Sequence, residues 1–365
     1  MRKIKILVAS LSRDFGGVES LFLNLCKNIS DKIIFDFLCW DSKAVKKDEF
    51  LGTGANILML DRPGKSLYKY TNSLNKILKK DYDIYHVNLT RYRFPLDLLM
   101  AKISGLKIVI HTHSTQVYKS KSLKTNIIRQ IEHKIFKGIT LILSDCNIAC
   151  SRESAKFFFG NKKSCIVYNG IDTEKFRYSP EHRRKIREEL GITDDAILLG
   201  HVGRFSNEKN HKMLIELMAK LKKENENYKL ICIGDGDLHD QIKDYAYRLG
   251  LKNEVIFTGI RSDINRLLSA IDVFLLPSYH EAYPVVLVEA QANGLPCIVS
   301  DTVSREINRT GKLFFKTINN MEEWIQLLHD RAACARYVPD KQELWQLDVN
   351  YMEKRLIDVY SSLIR

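Results

Sequence analysis

Apolar residues along the chain follow two alternating rhythms. Short runs rich in Ile, Val, Leu and Phe are separated by longer stretches in which apolar residues recur every three or four positions. The first rhythm predicts buried strands and the second amphipathic helices. Their alternation from end to end predicts parallel sheets with crossover helices. The first half offers strands at KIKILVASL, IIFDFLCW, NILMLD, DIYHVNL, KIVIHTH, LILSDCNIAC and CIVYNG. After the helical stretch HRRKIREELGI the pattern restarts with AILLGHVG, KLICIGDG, EVIFTG, VFLLPS and PCIVSD. The restart predicts an α/β chain of two Rossmann-like, doubly wound domains in tandem, with a boundary near Asn169 to Tyr178. Ligands bind such sheets beyond the carboxyl ends of the strands, so a central cleft faced by both domains is the expected site.

Composition narrows the function classes. The 365 residues are 45% hydrophobic and 28% charged, which excludes a disordered chain and provides for two cores. No run of 18 or more uncharged apolar residues exists, so no membrane-spanning helix is expected. The basic start leads into a short apolar stretch, Ile6 to Leu11, that reads as a first strand and not as a signal peptide. Eight cysteines without a CxxC pair read as core thiols of a cytoplasmic protein. Residues 1–170 carry 29 Lys+Arg against 14 Asp+Glu, so the whole net excess of +13 lies in the first half. Either that half faces an anionic partner, such as a lipid headgroup surface or a diphosphate-bearing acceptor, or the charge serves solubility. Leu123, Ile127, Ile128, Ile131, Ile135 and Phe136 recur at helical spacing, with Lys124, Arg129, Lys134 and Lys137 among them. This is a basic amphipathic helix that lies on an anionic bilayer or packs as a core helix with a solvated face. Zinc-finger spacing and RNP motifs are lacking, and nucleic acid is not an expected partner.

Four segments carry candidate chemistry. Gly16 and Gly17 follow the opening strand and precede a helical run, where backbone can approach an anion closely, although a plain strand-to-helix turn reads the same. SLSRDFGG is not a dinucleotide fingerprint. GRFSNEKNH, Gly203 to His211, places Arg204 and Lys209 at a strand's carboxyl end, suited to a diphosphate; two basic residues in a solvated loop are the plainer reading. It is not a Walker motif. HEAYPVVLVEAQANGLP, His280 to Pro296, predicts a helix opened by Pro284 and closed by Gly294 and Pro296. Glu281 before that helix and Glu289 within it would stand about 12 Å apart, enough to span a nucleotide sugar, although a lone Glu in an apolar helix that merely binds backbone or a Lys is the plainer reading. That is too wide for a paired-carboxylate hydrolase. His111 and His113 end one strand on one face, as a catalytic or acceptor-binding pair; a zinc site lacks a third ligand at a recognisable spacing. DYD at Asp81 to Asp83 and DGD at Asp235 to Asp237 read as structural.

Together these residues resemble the retaining GT-B glycosyltransferases of glycosyltransferase family 4, particularly bacterial members of exopolysaccharide and capsule assembly. The parts come in the family's order over almost the whole chain: GGVE at Gly16 to Glu19, HTHS at His111 to Ser114, NGID at Asn169 to Asp172, GRFSNEKNH, GDGDL at Gly234 to Leu238, FTGIRSDI at Phe257 to Ile264, and E-x7-E from Glu281 to Glu289. The resemblance implies an acceptor-side domain over 1–172, a nucleotide-sugar domain over 173–348, and a terminal helix, 349–365, returning to the first. It implies that Arg204 and Lys209 bind the donor diphosphate, Glu281 the hexose and Glu289 the ribose hydroxyls. Tyr283, Pro284 and Val285 would surround phosphates and sugar, Ile260 and Arg261 would lie by the base, and Gly16-Gly17 would close on the phosphate side. His113, or else His111, would line the reaction centre.

The implied reaction is retaining transfer of a hexose or N-acetylhexosamine from a nucleotide diphosphate sugar, UDP-linked, to a lipid-linked saccharide, without metal or cofactor. The implied setting is the cytoplasm, peripheral on the inner membrane face. One departure stands out: Ala282 replaces the Gly that usually follows the first Glu, which raises a narrowed sugar pocket or an inactive partner subunit as alternatives. A nucleotide-sugar epimerase of the same fold is a further one.

Overall fold

The computed structural model describes residues 2–11, 17–28, 32–40, 47–61, 64, 66–117, 123–224, 227–332 and 336–364. The chain divides into two compact units, one built from residues up to Gly170 together with the segment from Val349, the other from Ile171 to Asp348.

In the first unit the chain runs β1 (Ile4–Leu11), α1 (Gly17–Asn28), β2 (Ile33–Cys39), α2 (Lys47–Leu51), β3 (Asn56–Met59), α3 (Leu67–Leu78), β4 (Ile84–Leu89), α4 (Leu96–Ile103), β5 (Lys107–Thr112), α5 (Leu123–Leu143), β6 (Cys146–Ala149), α6 (Arg152–Phe159) and β7 (Cys165–Ile166). The sheet order is β3-β2-β1-β4-β5-β6-β7. All its paired strands are parallel. Helices cover both faces, so strands such as Ile4–Leu11 read as nearly unbroken apolar runs. One face packs Phe22, Phe35, Phe37 and Val109; the other packs Leu74, Tyr85, Ile108 and Phe158. Each such fully buried side chain contributes about 1.5–3 kcal/mol. Serine caps start α3 and α6: Ser66 accepts from the Lys69 N–H and Ser151 from the Ser154 N–H.

The second unit runs α7 (Pro180–Glu189), β8 (Ile197–Val202), α8 (His211–Lys223), β9 (Tyr228–Ile233), α9 (His239–Arg248), β10 (Val255–Gly259), α10 (Ile264–Ala270), β11 (Val273–Leu276), α11 (Val285–Ala292), β12 (Cys297–Ser300), β13 (Leu313–Lys316), α12 (Met321–Ala332) and α13 (Lys341–Leu344). Its parallel order, β10-β9-β8-β11-β12-β13, repeats the winding of the first sheet. The last helix, α14 (Val349–Ile364), belongs to the first unit, where Val349, Met352, Leu356 and Tyr360 join the core beside Leu21, Leu25 and Phe35. Arg187 of α7 is a buried tie in the second unit, donating to the carbonyls of Thr193, Ala196 and Ala270 and to Asp272.

Three sequence expectations need correction. LILSDCNIAC is not one strand: Leu141 to Leu143 complete α5, and the strand starts only at Cys146. The edge strand β13 went unpredicted, because its four residues, LFFK, are too short to show a period. Finally, α5 is neither a core helix nor one with a polar outer face. Thr140 is buried and Phe136 packs on Phe94, whereas Ile127, Ile128, Ile131, Ile135, Ile139 and Ile142 are 43 to 80% exposed. Among the described residues no helix is long and apolar enough to cross a membrane.

Candidate active site

In the second sheet the winding reverses between β8 and β11, since β8 leads outward to β9 and β10 before the chain crosses to β11 on its other side. The crevice beyond the carboxyl ends at such a reversal is where doubly wound sheets bind ligands. The loops leaving these two strands are those carrying Lys209 and Glu281. Lys209 closes a 3-10 turn, Asn207–Lys209, and Asn210 then takes a left-handed φ of 53° to open α8. Asn210 donates to the Pro277 carbonyl at 3.3 Å, and the Tyr279 N–H donates to the Glu208 carbonyl at 2.8 Å. Cross-tied in this way, the loops bring the Lys209 ammonium onto the Glu281 carboxylate as an ion pair with side chains 21 and 14% exposed. Arg204, just beyond β8 on the same loop as Lys209, is exposed.

The GDGD segment after β9 supports this loop from below. Gly234 and Gly236 have φ of 136° and 156°, and a Cβ on them would lie 2.2 Å from the Gly203 oxygen and 2.6 Å from the Phe205 oxygen. Only glycine permits that approach. Phe205 completes the contact, its N–H donating to Asp235 O and its carbonyl accepting from the Leu238 N–H. Two imidazoles lie behind Lys209. His201 donates from Nδ1 to the Leu275 carbonyl at 2.8 Å, and His211 stacks on Phe205 with ring centroids 3.9 Å apart. Burial pulls them down to about 4 and about 2, with the charge of Lys209 contributing to both, so both are neutral at neutral pH. The ammonium is therefore not opposed by imidazolium cations at its back.

Pro284, with φ of −69°, caps α11 without offering an N–H, and Ala282 and Tyr283 before it are buried. Among the described residues only Asn210 has a positive φ without being glycine, so Ala282 occupies a backbone any residue can adopt. Glu289 lies on the fifth residue of α11, where burial pushes its carboxyl up to about 8 against the lowering influence of Lys175. Gln291 pins the helix by donating to the Leu287 and Ile307 carbonyls and accepting from the Arg309 N–H. At the end of β10, the Ile260 side chain is 80% exposed. The Arg261 guanidinium next to it is committed to Asp263 and Glu189, each at 2.8 Å, leaving the Ile260 side chain as the apolar surface there.

In the first unit His113 lies just past β5 and is held on both ring nitrogens: Nδ1 is 3.2 Å from Asn169 Oδ1, and Nε2 is 3.2 Å from Asn88 Oδ1. Burial lowers it to about 4, partly offset by the bond to Asn169. A neutral imidazole has a single N–H, so one of the two amides turns its nitrogen to the ring. His111 is buried beneath, its ring centroid 4.0 Å from that of His113, and His86 lies 5.3 Å further on with Nδ1 2.8 Å from the Tyr360 hydroxyl. Of the two candidates on this strand, His113 is the more exposed and His111 is enclosed. Gly17 begins α1; Gly16 lies outside the described residues. The sequence reading gave no role to Asn88 or to Asn169, although Asn169 stood in the NGID motif.

The family described as "Glycosyltransferase Family 4" matches residues 15–175, and that described as "Glycosyl transferases group 1" matches residues 182–337. A putative glycosyltransferase, EpsF, of Bacillus subtilis is 31% identical over 95% of this chain and 93% of its own length. The Escherichia coli UDP-Gal:alpha-D-GlcNAc-diphosphoundecaprenol alpha-1,3-galactosyltransferase is 29% identical over 82% of this chain and 80% of its own. Among solved structures, Anabaena Alr3699/HepE in complex with UDP-glucose superposes with a TM-score of 0.79 at 21% identity, covering 98% of this chain and all of that one. A glycosyltransferase of Rickettsia africae gives 0.77 at 19% identity, covering both chains completely. Two parallel, doubly wound sheets, the paired family matches and full-length kinship to EpsF place the chain in one group: it belongs to the family 4 and group 1 glycosyltransferases of the GT-B fold.

Proposed function

We propose that this glycosyltransferase moves a hexose or N-acetylhexosamine from a UDP-sugar to a lipid-linked saccharide in bacterial polysaccharide assembly, with retention and without a metal ion, at the cytoplasmic face of the membrane. The observation that carries the reading is the Lys209–Glu281 pair at the winding reversal of the second sheet, with Arg204 on the same loop. In this reading Lys209 and Arg204 bind the diphosphate, and their charges stabilise it as it leaves. Glu281 accepts hydrogen bonds from the hexose hydroxyls, and Glu289 from the ribose diol. The backbones of Tyr283, Pro284 and Val285 border the phosphates and sugar; Ile260, with the Arg261 backbone, borders the base. The bond between the sugar's anomeric carbon and the phosphate oxygen breaks, the acceptor oxygen bonds to the same face of that carbon, and the departing phosphate takes the acceptor's proton. His113, kept neutral and oriented by its two amides, lines the acceptor approach without serving as the base.

A UDP-linked donor and a diphospho-undecaprenol-linked acceptor are supported by the name of the E. coli relative and, for the nucleotide, by the UDP-glucose complex of the Anabaena neighbour. The test is transfer from a panel of UDP-sugars to a diphospho-undecaprenol-linked saccharide in EDTA, with the anomeric configuration of the product read by NMR. An α-linked product from an α-configured donor is expected. Inversion, dependence on a divalent ion, or release of an epimerised sugar without an acceptor would each overturn the corresponding part of the proposal.

A further inference from the structure

The outward face of α5 reverses the usual distribution of a surface helix. Its inner side is fully engaged: His133 Nδ1 lies 3.4 Å from the Tyr92 N–H and its ring packs on Phe157 and Phe158, Phe136 packs on Phe94, Glu132 pairs with Arg91, and Thr140 is buried. The opposite side repeats apolar residues at helical spacing, with Ile127, Ile128, Ile131 and Ile135 each at least half exposed, Ile139 at 43% and Ile142 at 80%. Exposed single isoleucines are ordinary, but a contiguous row over about four turns of one helix marks a surface with a partner. Lys124 and Lys134 are exposed on the same side, and α5 carries four Lys and Arg within Lys124 to Lys137 against one Glu, itself paired.

We infer that α5 inserts this isoleucine row into an anionic bilayer, lying in the plane of the interface while Lys124 and Lys134 reach the headgroups. Charge selects the lipid surface over a second copy of the chain. The half bearing α5 has 29 basic against 14 acidic residues, so two such faces repel each other while a negative surface attracts either. The inference rests on the helix face and on the charge of the half that carries it, and stands apart from the identity of donor or acceptor. Apolar insertion differs from simple charge attraction in one respect: it survives salt that screens the lysines.

The experiment is co-sedimentation of the full chain with phosphatidylcholine vesicles, with and without 30 mol% phosphatidylglycerol, at low and high sodium chloride. Binding is expected on the anionic vesicles only, with a residual fraction surviving high salt. The triple variant Ile131→Gln, Ile135→Gln and Ile139→Gln, which touches only outward positions, loses at least tenfold in partitioning at both salt levels. Lys124→Gln with Lys134→Gln loses binding chiefly at low salt. Circular dichroism and UDP binding of the triple variant stay as in the parent, which separates loss of this surface from failure of the donor site. Unchanged vesicle binding by the triple variant overturns the inference, as does a parent that ignores anionic vesicles. So does a dimer in sedimentation velocity that the triple variant splits, for then the row joins two copies.

Discussion

Removing the Lys209 ammonium leaves the Glu281 carboxylate, 14% exposed, in a loop built to present it to a cation. Exposed ion pairs contribute about 0–1 kcal/mol, and breaking a fully buried one costs about 3–5 kcal/mol. With side chains 21 and 14% exposed, the pair falls between these limits, and Lys209→Ala should cost about 2 kcal/mol of stability. Glu281→Gln should cost a similar amount. Because each substitution breaks the same contact, the double variant should lose clearly less than the sum, with a coupling of about 1 kcal/mol or more by a double-mutant cycle in urea. The catalytic loss is larger. Deleting a preorganised group that stabilises developing charge lowers kcat by about 10² to 10³, so Lys209→Ala should transfer sugar at least about 100-fold more slowly at a temperature where it is fully folded. Strict additivity in the cycle would refute the structural coupling. Transfer within threefold of the parent would refute the role of Lys209 at the diphosphate.

Three further outcomes follow from other parts of the molecule. Glu289 is raised to about 8, so the folded state holds its proton more tightly than the unfolded chain does, and ionised Glu289 destabilises the fold. That penalty is absent below the ordinary carboxylate range, grows by about 1.4 kcal/mol per pH unit at most, and is complete above about pH 8. Glu289→Gln should therefore gain in Tm over the parent between pH 5 and 8.5 while losing UDP affinity, and equal pH dependence of Tm in both proteins would contradict the shift. Gly294, at φ of 75°, would bring a Cβ to 1.7 Å from the Tyr337 oxygen, so Gly294→Ala should lower stability by at least about 2 kcal/mol in urea; an unchanged midpoint would contradict the packing. Asn169→Ala removes one of the two amides fixing His113 and should cut transfer at least tenfold with UDP affinity unchanged; a loss confined to donor binding would contradict an acceptor-side role.

The two sheets were legible because strands covered on both faces must be apolar throughout, and the restart of that pattern exposed the second winding. What escaped was local. β13 was too brief, and Leu141 to Leu143 look the same as a helix end or a strand start. The period of α5 was plain, but period does not say which side of a helix faces the core: the apolar row proved to be the outer one. At the candidate site, the residue types were visible and the partnerships were not. Lys209 and Glu281 are 72 positions apart, and His113 stands 25 from Asn88 and 56 from Asn169. Only the winding of the sheets brings the members of each group together. Gly234 and Gly236 could have been read further, since two glycines flanking one Asp after a strand signal a close backbone approach.

The central claim is a nucleotide-sugar site on the second sheet that works by fixed cationic side chains. Calorimetric titration of the protein with UDP, GDP and ADP in EDTA tests it most directly. The account predicts selective binding of UDP that persists in EDTA and is lost in Lys209→Ala. Absence of binding by all three nucleotides, or UDP affinity unaltered by Lys209→Ala, would contradict it.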